Sequence, residues 1–416
     1  MDKKYIYKIC TSAKKAVPSD SALLCNSPEN TFAKLSELQL NCQIIHLCEH
    51  NSFFFQFILY FNFFVVPLHV NREKKMVTFT KNISSALRSF LSESKYEEVV
   101  VVAAEKIVAQ WLQKGFKKYP ILSISSGESC KSIECLQRIW DFLLEHNITR
   151  RGLMICVGGG TITDLGGLAA ATYKRGIDYI NIPTTLLSMV DASVGGKTGI
   201  NYRGLKNVIG AFHEPVQTII SMEWLQTLPT DQLLSGYAEM IKTSFLSDGI
   251  AESLLFQYDL DAFDPEALEP LVKACVEIKK SIVEIDVFEA NQRKALNFGH
   301  TFGHALEQMQ LDSHPILHGY AVLWGMLAEL YLSVTLLGCP REPLQQLTQI
   351  MIHYYGRPQC KCTNRAQLIE LMQQDKKNEH SGEINCTLLQ TIGQPLVNQI
   401  ITQAQAEEAW EYLFSL

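Results

Sequence analysis

The chain of 416 residues is 47% apolar and 19% charged, which is typical of a globular protein and long enough for two domains with complete cores. Its formal net charge of −6 gives no electrostatic basis for binding nucleic acid or an anionic membrane, so an anionic ligand would have to be held by locally placed cations. The twelve cysteines are scattered and lack the spacing of a disulfide framework, which predicts reduced thiols and a cytoplasmic location.

Residues 1–62 have no recognisable function, and we interpret them as a leader of unknown role. The polar, basic start of the chain lacks the apolar core of a signal peptide. The aromatic and aliphatic stretch Phe53–Val66 is shorter than the about 20 residues of a membrane-spanning helix, which favours a buried strand or helix over membrane insertion. Met76, which follows a charged run, could equally begin the working domain.

Strands and helices alternate with short links from Lys81 onward, which predicts a Rossmann-like α/β domain over residues 63–225 with a doubly wound parallel sheet. Continuous β-branched and aliphatic runs are typical of strands that are buried on both faces. The predicted strands are Glu97–Ala103, Tyr119–Ile124, Gly152–Val157 and Tyr179–Ile182. The predicted helices are Ile83–Leu91, Ile107–Gly115, Ile133–His146 and Leu165–Lys174.

A run of glycines at Gly158-Gly-Gly-Thr-Ile-Thr-Asp164 joins a predicted strand to a predicted helix. Glycines at such a turn let backbone N–H groups approach a phosphate at the N-terminus of the helix. The run is not the GxGxxG fingerprint, so a tight turn that needs glycine for positive φ is the alternative. Thr184 and Thr185 follow the next strand, and their hydroxyls could contact a ribose or phosphate.

A second glycine turn lies at Asp191-Ala-Ser-Val-Gly-Gly-Lys-Thr198, and Lys206 and Asn207 follow on the next polar loop. Cations close to glycine turns suit an anionic substrate. Each lysine taken alone is equally compatible with an ordinary surface position.

The β-rich character fades beyond Pro229, which predicts a mostly α-helical C-terminal domain over residues 226–416 and a cleft between the domains. The boundary is expected around Met222–Pro229. Glu239 and Lys242 are three residues apart and share one face of a predicted helix. The predicted helices are Gln232–Ser247, Leu268–Phe288, Leu344–Tyr355, Arg365–Gln374 and Glu407–Phe414, and Leu388–Ile392 is a predicted strand.

Three histidines predict a metal site in this helical half. His300 and His304 are four residues apart, so their imidazoles leave the same face of a predicted helix, and His318 begins another helical run. Imidazole binds zinc well, and a catalytic zinc site has three protein ligands and an open position. A carboxylate would complete the set, and ordinary helix histidines are the alternative.

Six strings, in this order, resemble the 3-dehydroquinate synthase family: GGGTITDLGGLAAATYKRG, PTTLLSMVDASVGGKTGIN, KNVIGAF, LPTDQLLSGYAEMIK, LNFGHTFGHALE and LHGYAV. They stretch from Gly158 to about Met326, and weaker similarity extends from about Lys81 to the C-terminus. The resemblance implies a Rossmann-like domain that binds NAD, a helical domain that binds Zn²⁺ or Co²⁺, and a homodimer. It also implies the cyclisation of a phosphorylated sugar acid, 3-deoxy-D-arabino-heptulosonate 7-phosphate, to 3-dehydroquinate with loss of phosphate, the second step of the shikimate pathway.

The resemblance also implies roles for individual residues. The metal ligands would be Glu239, His300 and His318, which makes His304 a residue for the substrate phosphate and proton transfer instead of a ligand. NAD would contact Gly127, Glu128, Lys131, Gly159, Gly160, Thr161, Asp164, Thr184, Thr185, Lys197, Lys206, Trp224, Leu225, Gln226 and Thr227. The substrate would contact Asp191, Lys197, Asn207, Lys242, Lys279, Arg293, Asn297, His304 and one of Lys376 and Lys377. Arg175 would reach the phosphate site of the neighbouring subunit.

Two positions depart from the family pattern. At the end of the first strand the family commonly has a Thr-Asp pair whose Asp can bind the adenosine ribose, whereas this chain has Val102-Ala-Ala-Glu105 and only the displaced Glu105. Tyr320, next to the expected ligand His318, stands where a Glu is usual. Loss of a carboxylate behind a metal ligand would weaken metal binding.

Three other functions fit parts of the pattern. Another sugar phosphate cyclase, such as 2-deoxy-scyllo-inosose synthase, uses a substrate without a carboxylate, which would leave Arg293 and Lys279 unpaired. A metal-dependent polyol dehydrogenase would share the glycine turn and the metal site but would not need Lys197, Asn207 and His304. A non-catalytic remnant that binds NAD or a partner protein would be expected to have lost a residue of the site.

Overall fold

The protein is described from a computed structural model, which covers residues 76–108, 118–247, 255–310, 315–358, 365–375, 378, 380 and 382–416. All of them belong to one compact unit, Lys75–Leu416. The leader 1–62 and the expected substrate residues Lys376 and Lys377 lie outside the described residues.

Ten strands are found in the described part of the chain, and six of them form a parallel sheet. The strands are β1 (Met76–Phe79), β2 (Val99–Ala104), β3 (Ile121–Ile124), β4 (Leu153–Gly158), β5 (Asp178–Pro183), β6 (Lys197–Tyr202), β7 (Leu205–Phe212), β8 (Gln217–Ile220), β9 (Ile384–Thr391) and β10 (Gln394–Ile401). The parallel sheet has the order β1-β8-β5-β4-β2-β3. The pairs β6–β7 and β9–β10 are antiparallel hairpins.

The helices cover the sheet and then form the C-terminal half. They are α1 (Ile83–Glu93), α2 (Ile133–Glu145), α3 (Gly160–Thr172), α4 (Thr230–Phe245), α5 (Pro265–Ile285), α6 (His300–Gln310), α7 (His318–Leu337), α8 (Glu342–Ile350), α9 (Arg365–Gln373) and α10 (Gln403–Ser415). Short helical turns are Glu105–Ile107, Glu128–Cys130, Tyr173–Arg175, Ser188–Ala192, Met222–Thr227, Gln292–Asn297 and Met351–Tyr355.

The central strands are buried on both faces, as their continuous apolar sequences predict. Alternate residues of β2 face different cores: Val100 and Val102 pack in the core that includes α2 and α3, while Val101 and Ala103 pack in a core that continues into the helical half. The predicted fold class, a Rossmann-like α/β domain followed by a mostly helical part, is confirmed. The boundary at Met222–Pro229 stays a prediction.

The long apolar helix α7 is the central helix of the C-terminal half. By length and composition it could cross a membrane, but 67% of its most apolar window is buried inside the fold. It packs against α4, α6 and α10 and the strand β9. A helix that is apolar on all sides is expected to be surrounded by other elements, and α7 fits that expectation.

Candidate active site

Three side chains of the described residues form a group that could hold a metal ion: Glu239 on α4, His300 on α6 and His318 on α7. One ligand atom from each lies within 4.8 Å of the others. Glu239 is fully buried, and its Oε1 lies 3.4 Å from His318 Nε2. Because a buried carboxylate is stabilised by nearby cations, and because one Glu with two His is a normal catalytic zinc set, these residues fit a metal ion.

Glycines bring the helices of this group together. Gly319 donates its N–H to Ser235 Oγ over 3.0 Å, and a Cβ at position 319 would lie 1.9 Å from Ser235 O. On another face of α7, a Cβ at Gly325 would lie 1.9 Å from Gly299 O. Only glycine permits these approaches, so His318 at the start of α7 lies next to both α4 and α6.

A buried cluster of two lysines and two carboxylates adjoins the metal group. Lys279 Nζ lies 2.5 Å from Asp191 Oδ1, and Lys242 Nζ lies 3.6 Å from the same oxygen and 2.5 Å from Glu239 Oε2. Burial opposes both charged carboxylates, but nearby cations together outweigh it, and both pKa values are lowered. These cations are Lys242 and Lys279 for Asp191, and Lys242 and His318 for Glu239. Burial lowers the pKa of Lys279, whereas the two carboxylates raise that of Lys242.

Lys197 and Asn297 converge on a residue that the sequence analysis missed, Glu289. Its carboxylate forms an ion pair with Lys197 and accepts a hydrogen bond of 2.9 Å from Asn297 Nδ2. Glu289 has positive φ, 59°, which is unusual for a residue with a side chain and marks a constrained position. It lies in an irregular segment between α5 and the turn Gln292–Asn297, where periodicity gives no signal.

Arg293 is a buried cation whose guanidinium donates hydrogen bonds to backbone carbonyls. Its side chain is 1% exposed, Nη1 donates to Val287 O over 2.6 Å, and Nη2 donates to Gly195 O over 2.8 Å. The buried Nε has no hydrogen-bond partner. The positive φ of Gly195, 96°, and its missing side chain permit the approach, because a Cβ there would lie 2.8 Å from Nη2.

His318 contacts carboxylates through both ring nitrogens. Its Nε2 lies 3.4 Å from Glu239 Oε1, and its Nδ1 lies 3.3 Å from Glu307 Oε2 on α6. Glu307 also pairs with Lys206 of β7 over 2.8 Å. Burial disfavours the charged imidazole, but Glu307 and Glu239 outweigh it and raise the pKa of His318 to about 10. Glu307 follows His300 by seven residues, and this helical spacing could have revealed it.

The ring of His304 is centred 5.2 Å from that of His300, on the face that the spacing predicted. Its Nδ1 lies 2.9 Å from Asp375 Oδ2, just after α9. Asp375 heads the Asp-Lys-Lys segment, but nothing in the sequence connected it with His304, because that contact spans 71 residues.

The first glycine turn needs glycine for space and not for positive φ. Neither Gly158, Gly159 nor Gly160 has positive φ, so the alternative that we gave for this turn is wrong. A Cβ at Gly158 would lie 2.5 Å from Ile162, and one at Gly159 would lie 3.1 Å from Thr185. No side chain caps the N-terminus of α3. This is the arrangement in which backbone N–H groups can bind a phosphate.

Lys131, an expected NAD-binding residue, connects that turn with the β6–β7 hairpin. Its Nζ donates to Asp164 Oδ2 over 2.7 Å and also contacts Asn207 Oδ1, while Glu128 lies 3.9 Å away. Asn207 has positive φ, 51°. The residues expected to bind NAD and those expected to bind the substrate are therefore adjacent at this hairpin.

The other expected NAD-binding residues and Arg175 have different surroundings. Trp224 and Leu225 are buried in the hydrophobic core, whereas Gln226 and Thr227 are exposed. Thr184 is buried, and Thr185 Oγ1 lies 2.9 Å from Ser188 Oγ. Arg175 is exposed beyond the C-terminal end of α3.

The two departures from the family pattern have different surroundings. Ala104 is buried at the end of β2, and Glu105 is exposed in the turn that follows. The ring of Tyr320 packs on Tyr355, with centroids 4.9 Å apart. Glu307 contacts the imidazole of His318, and the effect of Tyr320 on metal binding stays a prediction.

Two domain families cover most of the described chain. The family described as 3-dehydroquinate synthase N-terminal matches residues 121–235, and that described as 3-dehydroquinate synthase C-terminal matches residues 236–378. The 3-dehydroquinate synthase of Parabacteroides distasonis is 42% identical over 345 residues, which is 82% of this chain and 98% of the relative. The chain belongs to the 3-dehydroquinate synthase family. The resemblance drawn from the sequence motifs is thereby confirmed.

Solved structures with the fold of this 3-dehydroquinate synthase family member include sugar phosphate cyclases and dehydrogenases. The 2-epi-5-epi-valiolone synthase of Streptomyces hygroscopicus, with NAD⁺ and Zn²⁺ bound, has a TM-score of 0.74 at 24% identity and covers 83% of this chain and 98% of its own. A 2-deoxy-scyllo-inosose synthase with carbaglucose-6-phosphate, NAD⁺ and Co²⁺ has a TM-score of 0.71 at 19% identity, with coverages of 80% and 96%. At these identities the likeness concerns the fold.

Proposed function

We propose that this protein is a 3-dehydroquinate synthase, a lyase that converts 3-deoxy-D-arabino-heptulosonate 7-phosphate to 3-dehydroquinate and phosphate. This is the second step of the shikimate pathway. Membership of the family supports the reaction, and the buried Arg293 supports this substrate over a sugar phosphate without a carboxylate.

The hydrogen bonds of Arg293 are the observation on which this choice of substrate rests. The guanidinium donates to two neutral backbone carbonyls and has no carboxylate within ion-pair distance among the described residues. Burial lowers the pKa of Arg293 although Glu289 and Asp191 favour its charged form, and a substrate carboxylate would stabilise that charge further. Lys279 donates two of its three N–H groups to Asp191, which leaves the third for the substrate carboxylate.

We infer that NAD and Zn²⁺ or Co²⁺ are the cofactors. Glu239, His300 and His318 would hold the metal, and the glycine turn Gly159–Asp164 with Lys131, Lys197 and Lys206 would contact NAD. When bound, NAD would supply the transient oxidation of a substrate hydroxyl, and the metal would supply Lewis-acid polarisation of the same oxygen.

The remaining residues would position the substrate and hold its protons. Lys197, Asn207 and His304 would bind the phosphate, which in this position would replace Glu289 as the anionic partner of Lys197. Nδ1 of His304 contacts Asp375, which would orient the imidazole for contact with the phosphate. Asp191, Lys242 and Asn297 would orient the ring hydroxyls, so that geometry and electrostatics are the main contributions of the protein.

We also infer a homodimer in which Arg175 acts on the neighbouring site. The helix α3 has 13 residues and a length of about 20 Å, and Gly160 at its start lies next to Ala192 of the site. Arg175 follows the opposite end, too far from its own site for a side chain to reach. The hairpin β6–β7 offers a contact surface, because Tyr202, Leu205, Val208, Ile209 and Phe212 are each between 43% and 55% exposed.

We propose a cytoplasmic location. Six cysteines of the described residues form no disulfide: Cys130, Cys135, Cys156, Cys275, Cys339 and Cys386. Thiols persist in a reducing compartment, which supports this proposal.

The proposal is tested by phosphate release from the heptulosonate phosphate. Release should require NAD, disappear after chelation and return with zinc. Arg293→Gln should lower kcat/KM for this substrate about a hundredfold, because a buried charge pair with the carboxylate is lost.

Glucose 6-phosphate and glycerol are the comparison substrates. If phosphate were released from glucose 6-phosphate but not from the heptulosonate phosphate, the protein would be a sugar phosphate cyclase whose substrate has no carboxylate. If NADH formed from glycerol and no substrate released phosphate, the protein would be a polyol dehydrogenase. No turnover of any of the three substrates by zinc-loaded protein would contradict an enzymatic role.

A further inference from the structure

Glu307 contacts both His318, an expected metal ligand, and Lys206 on the hairpin β6–β7. The family resemblance assigned it no role. It lies on α6 with its side chain 3% exposed, and its carboxylate contacts two different partners. Oε2 lies 3.3 Å from His318 Nδ1, and Oε1 accepts a hydrogen bond of 2.8 Å from Lys206 Nζ. Both oxygens are therefore engaged, and the side chain has one defined orientation.

The contact with Nδ1 determines which ring nitrogen of His318 faces the metal group. The opposite nitrogen, Nε2, lies 3.4 Å from Glu239 Oε1. When Nδ1–H donates to Glu307, the lone pair of the neutral ring is on Nε2, which faces the other two ligand candidates. Glu307 stands behind the imidazole and is not a member of the group whose ligand atoms converge within 4.8 Å.

Lys206 fixes the outer side of this contact. It lies on β7, 101 residues before Glu307 in the chain, and its side chain is 27% exposed. Removal of its charge would leave the nearly buried carboxylate with His318 as its remaining cationic partner in the described structure. Two polar contacts, Lys206 with Glu307 and Glu307 with His318, thus link the hairpin to the metal group.

We propose that Glu307 is a positioning residue that fixes the ring orientation and tautomer of His318 for metal binding, and that Lys206 holds Glu307 in place. This inference rests on the proposed metal site at Glu239, His300 and His318. In this arrangement Glu307 is the carboxylate behind His318, while Tyr320 packs on Tyr355. Such outer contacts orient metal-bound histidines and raise their basicity.

The test measures zinc affinity by competition with a chromophoric chelator, without turnover. Glu307→Gln keeps the size of the side chain and removes its charge, and we expect the Kd for Zn²⁺ to rise about 10- to 100-fold. The visible absorption of Co²⁺-substituted protein should change in the same variant, because a misoriented imidazole alters the ligand geometry. Lys206→Gln should weaken zinc binding in the same direction but by a smaller factor.

Two controls distinguish a positioning role of Glu307 from a general effect on stability and from failure of the proposed metal site. Glu408→Gln, at an exposed position of α10, should leave the Kd unchanged. A wild-type Kd retained in Glu307→Gln, together with an unchanged Co²⁺ spectrum, would overturn the inference, even if the metal-free variant unfolded at lower urea. Failure of the wild type to bind zinc would instead overturn the proposed metal site, so the two failures are distinguishable.

Discussion

Asp191 is the carboxylate that holds the two buried lysines of the site. It accepts from Lys279 at 2.5 Å and lies 3.6 Å from Lys242, and these side chains are 7% and 1% exposed. Buried cations of this kind depend on their partner, since the removal of one member leaves the other charge uncompensated. The short distances from Asp191 to the two lysines make it central to the electrostatics of the site.

Replacement of Asp191 should change how stability depends on pH. Because the folded-state pKa of Asp191 is lowered, its carboxylate stabilises the protein above the unfolded pKa of about 3.9, and this stabilisation is lost as the pH falls. Asp191→Asn should therefore lower the free energy of unfolding most at pH 6 to 7, and the gap from wild type should narrow towards pH 3.5. Urea unfolding of metal-free protein at several pH values measures this.

The matched control is Asp141→Asn, at an exposed position of α2. It should leave the unfolding free energy within about 0.5 kcal/mol of wild type throughout. A gap between Asp191→Asn and wild type that stayed constant from pH 7 to 3.5 would contradict the assigned ion pairs.

At the scale of elements, the close approach of α7 to α4 builds the metal group. Gly319 follows His318 directly, and it contacts Ser235, four residues before Glu239 on α4. Residues four apart are separated by about one α-helical turn, so the contact at Ser235 determines the position of Glu239 along α4 relative to His318. Any side chain at position 319 would have to displace α7 from α4.

Gly319→Ala should weaken both the fold and metal binding. The added Cβ would lie 1.9 Å from Ser235 O, a distance that backbone movement must relieve. Overpacking of this kind typically lowers the free energy of unfolding by about 1–3 kcal/mol, and the zinc Kd should rise because Glu239 and His318 move apart. Urea unfolding and chelator competition measure the two effects. Thr335→Ala, at an exposed position of the same helix, is the control, and an unaltered zinc Kd in Gly319→Ala would refute the argument.

At the scale of the whole molecule, the proposed homodimer would let Arg175 act on the site of the neighbouring subunit. Arg175 has positive φ, 67°, and so does the preceding Lys174, 47°, so the backbone leaves the helical conformation at the C-terminal end of α3. Closed two-fold dimers place the same surface of each subunit against the other. One subunit can then supply Arg175 while the other supplies the metal group.

Mixed dimers test this arrangement. Arg175→Ala and His304→Ala should each have little activity, but random mixing should restore about a quarter of wild-type activity, because half of the dimers are mixed and each has one complete site. Activity of the unfolded and refolded mixture against each pure variant is the measurement. If Arg175 acted within its own chain, mixing would restore nothing, and a monomer in solution would contradict the dimer directly.

The sequence predicted much of the fold because local signals were strong there. The continuous apolar strands, the glycine turn after β4 and the helical spacing of His300 and His304 all appear where the patterns indicated. The hairpin β6–β7 was missed, since β7 is exposed at most of its positions and shows no alternation of apolar and polar residues. The strand β10 was missed as well, because its register with β9 is interrupted by irregularities.

What the sequence determined alone was the order of elements, the parallel class of the sheet and the set of residues able to bind metal and anions. Periodicity fixes which side chains share a face of one helix, because it depends only on neighbours in the chain. It does not fix which faces meet. The tertiary structure decided that Glu307 supports His318 and that Glu289 and Asp375 lie against Lys197 and His304. It also brought Glu239, 61 residues before His300, close to the two histidines with which the family resemblance had grouped it. Those contacts depend on how closely α4, α6 and α7 approach at their glycines, a property of packing between distant segments.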